Sequence, residues 1–220
     1  MATLKKNPGY DSPKDFAPII RTTTTAMVLP FKPDFPARDL PQSLDYTRAH
    51  KNLTGGYGSG ASQISVAQLQ PRGGVSLVAA SYRGVPQAMT DVIAGVIDFT
   101  FGDFSVSIPQ TQGGMLRGIG VASPKRNELL ADLPALAEAM PGIESTIWYG
   151  LFAPAGTSDA VVEKIHDESE KFLTMPETKK RFADVGVVVA PLKPVEFGTF
   201  VRSEIVRWAK ACQAAGIEPQ

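Results

Sequence analysis

The sequence predicts an α/β protein, and three observations carry that prediction. Short runs rich in β-branched residues, such as VSLVAASY, recur along the chain as strands do. Between them, apolar residues return every three or four positions, the period of a helix buried along one stripe. Glycine, proline or a capping Asp or Thr stands at most junctions. Strands that alternate with helices in this way define the class.

Pro8, Gly9, Pro13 and Pro18 read as an ordered loop. Ala26 to Phe31 (AMVLPF) follows as a short buried strand. Asp39 then caps a helix through DLPQSLDYTRAH, with Pro41 in the first turn where its missing N–H costs nothing. LTGGYGSGASQISVAQLQ reads as a glycine-rich loop leading into a helix from about Ser62. VSLVAASY is a strand, and VPQAMTDVIAG is a helix burying Met89, Val92, Ile93 and Val96. VIDFTFGD and LRGIGVAS complete this half as two further strands.

The second half keeps the same alternation. TIWYGLFAPAG is an apolar run ended by Pro154 and Gly156. Thr157 caps a helix whose expected buried stripe is Val162, Ile165, Ser169 and Phe172. Thr174 to Glu177 has the form of a capping box, so PETKKRFADVG is a helix closed by Gly186. VVVA is a strand. Pro194 opens a last helix with Phe197, Val201, Ile205, Trp208, Cys212 and Ala215 on one side and Gly216 at its end.

Composition excludes several functions. Hydrophobic residues make up 43% of the chain, enough for a sizeable core. The 22 basic and 22 acidic residues cancel, which argues against a broad phosphate-binding surface and hence against a nucleic-acid partner. A single cysteine, Cys212, precludes an internal disulfide and falls on an apolar helix stripe, so it is read as core. No His-x-x-x-His or Cys-x-x-Cys pair exists to hold zinc, and no metal is expected. His50 and His166 lie in polar helical segments and are read as facing solvent. Lys5 and Lys6 are followed by Asn7, Pro8, Gly9 and Asp11 instead of an apolar run, so the opening is not read as a secretory signal. A chain translated as written would stay in the cytoplasm.

Two segments stand out as ligand sites. In GYGSGASQ, glycines before a helix expose backbone N–H groups, and the helix start adds partial positive charge. Such a loop holds a carboxylate or phosphate without any lysine, although a plain strand-to-helix connection has the same composition. The nucleotide P-loop is not matched, because no Gly-Lys-Ser/Thr follows, and the spaced glycines of a dinucleotide site are absent too. Tyr57 occupies the place where a nucleophile elbow needs glycine. In SYRGVPQA, Gly84 and Pro86 aim a second helix start at a strand end, and Arg83 supplies a formal charge. Asp98 and Asp103 flank a strand and read equally as an acid pair or a turn, and Trp148 and Tyr149 as pocket wall or core. No nucleophile and base can be paired from the sequence, so no catalytic residues and no cofactor are expected.

Five blocks taken in order are more specific than any one of them: YDSPKDFAPI, SYRGVPQAMTDVIAGVIDFTF, VASPKRNELLADLPALAEAMPG, WYGLFAPAGTSDAVVEKI and WAKACQAAGI. Together they resemble the Bug, or tripartite tricarboxylate transporter, family of extracytoplasmic solute-binding receptors, from about Leu4 to Ile217. The resemblance implies a periplasmic-binding-protein-like (type II-like) α/β architecture of two lobes that close on a small carboxylate-bearing solute and deliver it to membrane transporter subunits. It implies a non-enzymatic protein and a periplasmic location. It also implies that YDSPKDFAPI lies well inside a family member, so that the chain lacks the start of the first lobe. On that view residues 26–121 form the complete second lobe, and 1–25 with 122–220 form the partial first lobe and the C-terminal helices.

Family binding positions carry over in part. The family's glycine, asparagine and serine loop matches SGASQ, making Ser59, Gly60, Ala61 and Ser62 candidate amide or hydroxyl donors. Its tyrosine-lysine-glycine-glycine-x-proline stretch resembles Tyr82, Arg83, Gly84, Val85 and Pro86, with arginine replacing lysine and Val85 replacing glycine. Its strand-end Phe-Asp-Asn resembles Phe101, Gly102 and Asp103, the acid displaced by one. Ser65 stands where the family often has histidine. A partial lobe would expose the apolar face of the Phe197–Cys212 helix, so a homodimer through that lobe is a further expectation. The alternatives left open are a non-functional or domain-swapped fragment and a cytosolic enzyme using the same cleft.

Overall fold

A computed structural model of the 220-residue chain describes residues 7–218. Lys5 and Lys6 lie outside the described residues, as does Leu4. In chain order the first elements are α1 (Ser12–Asp15), β1 (Phe16–Phe31), α2 (Leu40–Ala49), β2 (Leu53–Tyr57), α3 (Gly60–Gly73) and β3 (Leu77–Ser81). There follow α4 (Val85–Ile93), β4 (Phe99–Thr100), β5 (Gly102–Asp103), α5 (Phe104–Gln112) and β6 (Arg117–Val121). The remainder is β7 (Thr146–Pro154), α6 (Asp159–Thr174), α7 (Pro176–Ala183), β8 (Val187–Leu192) and α8 (Pro194–Ala214). The chain forms two compact units. One is Ala26–Ile147; the other joins the described residues up to Thr25 to those from Trp148 onward.

In the Ala26–Ile147 unit, β2 is parallel to both β3 and β4, with Tyr57 opposite Ser81 and Gly56 opposite Thr100. β1 runs antiparallel to β4, β5 and β6. Because β3, β2 and β4 point the same way, the helices that follow them all start at one edge of the sheet. The core beneath contains Phe31, Phe35, Phe99, Phe101 and Ile119, all nearly fully buried. Residues beyond Val121 belong to this unit: Leu136, Met140 and Ile143 join the same core, and Val121 N–H donates to the Pro134 carbonyl at 2.9 Å.

Several elements differ from expectation. β1 begins at Phe16 instead of Ala26, so Pro18 lies in a strand. Thr22 to Thr25, four consecutive β-branched residues, favour extension. LTGGY is the strand β2 and not a loop, because its glycines let Phe99 and Ile97 pack against the backbone where a β-carbon would clash. α5 was not expected from FSVSIPQTQ, which lacks a helical stripe and carries Pro109; Asp103 nucleates it as a cap. Val96 is exposed, since α4 stops at Ile93 and Gly95 turns the chain at φ 73°.

In the other unit β1 pairs with β7 and, antiparallel, with β8. Trp148 and Trp208 both donate their indole N–H to the buried Glu204 carboxylate, at 2.9 and 3.1 Å. Phe197, Val201, Trp208 and Cys212 of α8 are buried, so the apolar face expected to stand exposed on this helix is covered within the chain itself. The buried stripe of α6 is Val162, His166 and Leu173, not the expected set: Ile165 and Phe172 are exposed. The helix is rotated because Val162 and Leu173 pack with Ile19, Ile20 and Ala153. His166 is therefore buried, contrary to expectation, while His50 faces solvent with its ring stacked on Tyr46. Thr157 does not cap α6; its hydroxyl donates to the Pro154 carbonyl at 2.8 Å. The capping box at Thr174 does not form either, since Met175 precedes α7 and Glu177 pairs with Arg181 at 2.8 Å.

Candidate anion-binding site

The chain leaves β2 at Tyr57 and enters α3 within three residues, and it leaves β3 at Ser81 and enters α4 within four. Tyr82 N–H donates to the Tyr57 carbonyl at 2.8 Å, extending the β2–β3 ladder by one rung. The two turns consequently emerge side by side. At Gly58 they touch: a β-carbon there would overlap the Gly84 carbonyl and the Val85 nitrogen. Only glycine allows this approach, and it brings the N-termini of α3 and α4 together.

Each turn is held by its own hydrogen bonds. Ser59 caps α3, its hydroxyl accepting from Ser62 N–H at 3.2 Å. The fully buried Ser62 hydroxyl accepts from the N–H groups of Gly58 (3.1 Å) and Ser59 (3.0 Å) and donates to the Ser59 carbonyl (2.9 Å). Ser62 is thus a brace turned inward, with its bonding capacity used. The N–H groups of Gly60 and Ala61, the first two of the helix, take no acceptor among the described residues. On α4, Gly84 caps without a side chain, Pro86 has no N–H, and Val85 N–H likewise takes no acceptor among the described residues. Three main-chain donors at two adjacent positive helix ends are therefore available to an anion.

The flanking side chains divide by role. The Tyr82 ring lies against Gly56, and its hydroxyl donates to Asp91 on α4 at 2.8 Å, which ties strand end to helix. Burial, then that hydrogen bond and the Asp91 charge, push the Tyr82 phenol above its ordinary pKa. Arg83 is exposed and makes no ion pair among the described residues. Asp103 caps α5, accepting from Val106 N–H (3.3 Å) and the Ser105 hydroxyl (2.8 Å). α4 packs across to this third turn, since Met89 fills the space a β-carbon at Gly102 would take. Asp98 does not pair with Asp103; it bonds Lys32 at 3.1 Å and accepts from Thr54 N–H at 2.8 Å. Ser65 is buried and donates to the Ala61 carbonyl at 2.9 Å. Val85 packs beside Met89 and Pro86 is exposed in the first turn.

Sequence reasoning missed the strand character of LTGGY and the inward role of Ser62. The serine three residues after a capping serine is the signal that could have found the brace. Among the described residues no group of three or more His, Cys, Asp or Glu is placed to hold a metal ion. No helix among them is long and apolar enough to cross a membrane.

Comparison with known proteins agrees with this fold. Residues 2–217 match the family model described as "Tripartite tricarboxylate transporter family receptor". A protein from the tcbD-tcbE intergenic region of Pseudomonas sp. strain P51 is 32% identical over 206 residues, covering 91% of this chain and 61% of its own length. The chain thus spans about three fifths of that relative. Among solved structures, R. palustris Rpa4515 with adipate superposes with a TM-score of 0.94 at 26% identity, covering 99% of this chain and 74% of that one. The periplasmic binding protein BugD gives 0.93 at 28% identity, covering 100% and 75%. MatC from Rhodopseudomonas palustris with bound malate gives 0.85 at 26%, covering 95% and 74%. These are binding proteins, not enzymes, and their fold is that of periplasmic binding proteins. With a family model that covers nearly its whole length, the chain belongs to the tripartite tricarboxylate transporter family of receptors.

Proposed function

We propose that this protein reversibly binds a small organic anion through a carboxylate, without transforming it, and serves a tripartite tricarboxylate transporter in the periplasm. The observation that supports this is the contact of Gly58 with the Gly84–Val85 peptide, which brings the starts of α3 and α4, with the N–H groups of Gly60, Ala61 and Val85, close to one another. Charge-assisted hydrogen bonds of this kind contribute roughly 1.5–3 kcal/mol each. Uncharged donors fixed by folding need little reorganisation when the ligand arrives, so binding need not draw on any cationic partner. On this reading the exposed Arg83 would meet a second charged group on the solute. The neighbours solved with adipate and malate recommend dicarboxylates as the first ligands to try.

Isothermal titration calorimetry against C4–C6 dicarboxylates and aromatic acids tests this. Saturable binding of at least one acid, weakened in Arg83→Ala with no turnover of ligand, supports the receptor. Consumption of a ligand with no stable complex contradicts it. We also infer self-association through the unit that contains residues from Trp148 onward, whose apolar side chains Tyr149, Leu151 and Val188 are exposed.

A further inference from the structure

Asp91 is the only charged residue of α4, VPQAMTDVI, and it stands on the second turn, about 9 Å along the helix from Val85. Among the described residues its carboxylate has one partner, the Tyr82 hydroxyl, which donates to it at 2.8 Å. Its main-chain carbonyl accepts from the N–H groups of Val96 and Ile97, at 2.9 and 3.4 Å, where the chain leaves α4. Tyr82 is held at three points. Its N–H donates to the Tyr57 carbonyl at 2.8 Å, its ring lies against Gly56 and packs with Ala88, Met89 and Val92, and its hydroxyl ends on Asp91. The one phenolic proton is thereby committed and is not available to a carboxylate ligand.

We propose that Asp91 is a positioning residue of the anion site: by holding the Tyr82 phenol it fixes where the start of α4 stands beside the start of α3. The assignment rests on the receptor reading given above. Only two residues separate Tyr82 from α4, the exposed Arg83 and Gly84, which caps the helix without a side chain. Neither can anchor the turn, so whatever places Tyr82 also places the Val85 N–H three residues on. Asp91 does this from inside α4, closing a loop of strand end, turn and helix on itself. Its charge acts the other way. A carboxylate with no cationic partner among the described residues repels an anion at the helix start, although at about 9 Å salt screens most of that effect. Removing the charge alone therefore predicts slightly tighter binding, whereas losing the hold on Tyr82 predicts weaker binding. The two effects have opposite signs, and substitution separates them.

Two measurements on the full chain test the proposal, with circular dichroism to verify folding. The first needs no ligand. Amide hydrogen exchange in Asp91→Ala is expected to quicken at least fivefold at Tyr82 and Ala88, whose N–H groups bond the Tyr57 and Gly84 carbonyls, and to stay unchanged at Gln63 in the first turn of α3. A side chain that merely stabilises the fold would quicken all three alike, and that result overturns the proposal. The second is calorimetry with adipate and malate. Asp91→Ala and Tyr82→Phe are each expected to weaken binding threefold or more, and the double variant no further, because both break one contact. Asp91→Asn removes the charge but keeps an acceptor for the phenol, and is expected to recover most of the loss. A wild type that binds while Asp91→Ala binds equally well or more tightly overturns the assignment alone. A wild type that binds neither acid overturns the receptor reading for these ligands and the assignment with it.

Discussion

Gly58 and Gly84 meet asymmetrically. A β-carbon on Gly58 would overlap the Gly84–Val85 peptide, whereas one on Gly84 would have Pro86 Cδ, at 3.6 Å, as its nearest neighbour. Gly84 is extended, at φ −165°, a conformation open to any residue. Gly58→Ala is therefore expected to destabilise the protein by about 1–3 kcal/mol through overpacking. Gly84→Ala should cost less than about 1 kcal/mol, the small preference for glycine over alanine at a cap. Urea denaturation of both variants separates the two, and equal losses would count against the packing described here.

Ser62 holds the α3 turn from inside. Ser62→Ala leaves the N–H groups of Gly58 and Ser59 without their acceptor, at a cost of about 1–3 kcal/mol. Asp103→Ala removes the α5 cap and should cost about 1 kcal/mol. Thermal unfolding measures both. The Ser62 variant is also expected to bind carboxylates more weakly, as its donors lose their aim.

Tyr82→Phe removes the hydrogen bond to Asp91 and should cost about 0.5–1.5 kcal/mol. The wild-type phenol has a raised pKa when folded, so its contribution is complete below the ordinary tyrosine range and is lost as pH rises through the folded value. The stability difference between the two proteins is thus expected to shrink in alkaline buffer. Chemical denaturation at neutral and strongly alkaline pH is the check, and a constant difference would contradict it.

Lys32 tells a parallel story at the opposite edge of the sheet. The hydrogen bond to Asp98 raises its pKa, against the opposing effect of burial. Its contribution is present below the ordinary lysine value and fades as pH rises through the folded one. Lys32→Met is expected to cost up to about 1 kcal/mol at neutral pH, because the pair is partly exposed. Denaturation curves as a function of pH should converge for mutant and wild type at the alkaline end.

The α/β class and the two turns into α3 and α4 were legible in the sequence because glycine and proline punctuate strand-to-helix junctions there. What brings Gly58 onto Gly84 was not, since it depends on β2 and β3 being parallel neighbours in register, a long-range property. The stripe of α6 differs from the expected one by a single rotational step: 162–165–169–172 and 162–166–173 both fit a helical period, and packing against Ile19, Ile20 and Ala153 decides between them. α5 is hard to see in the sequence because its signal is a cap, Asp103, a residue that reads equally well as a ligand group.

The central claim is that main-chain N–H groups at the starts of α3 and α4 grip the carboxylate. Amide ¹H–¹⁵N spectra of the labelled protein, titrated with adipate and malate, test it most directly. Saturable shifts that are largest at Gly60, Ala61 and Val85 are the predicted result. Saturable binding that leaves those three amides unmoved would contradict it.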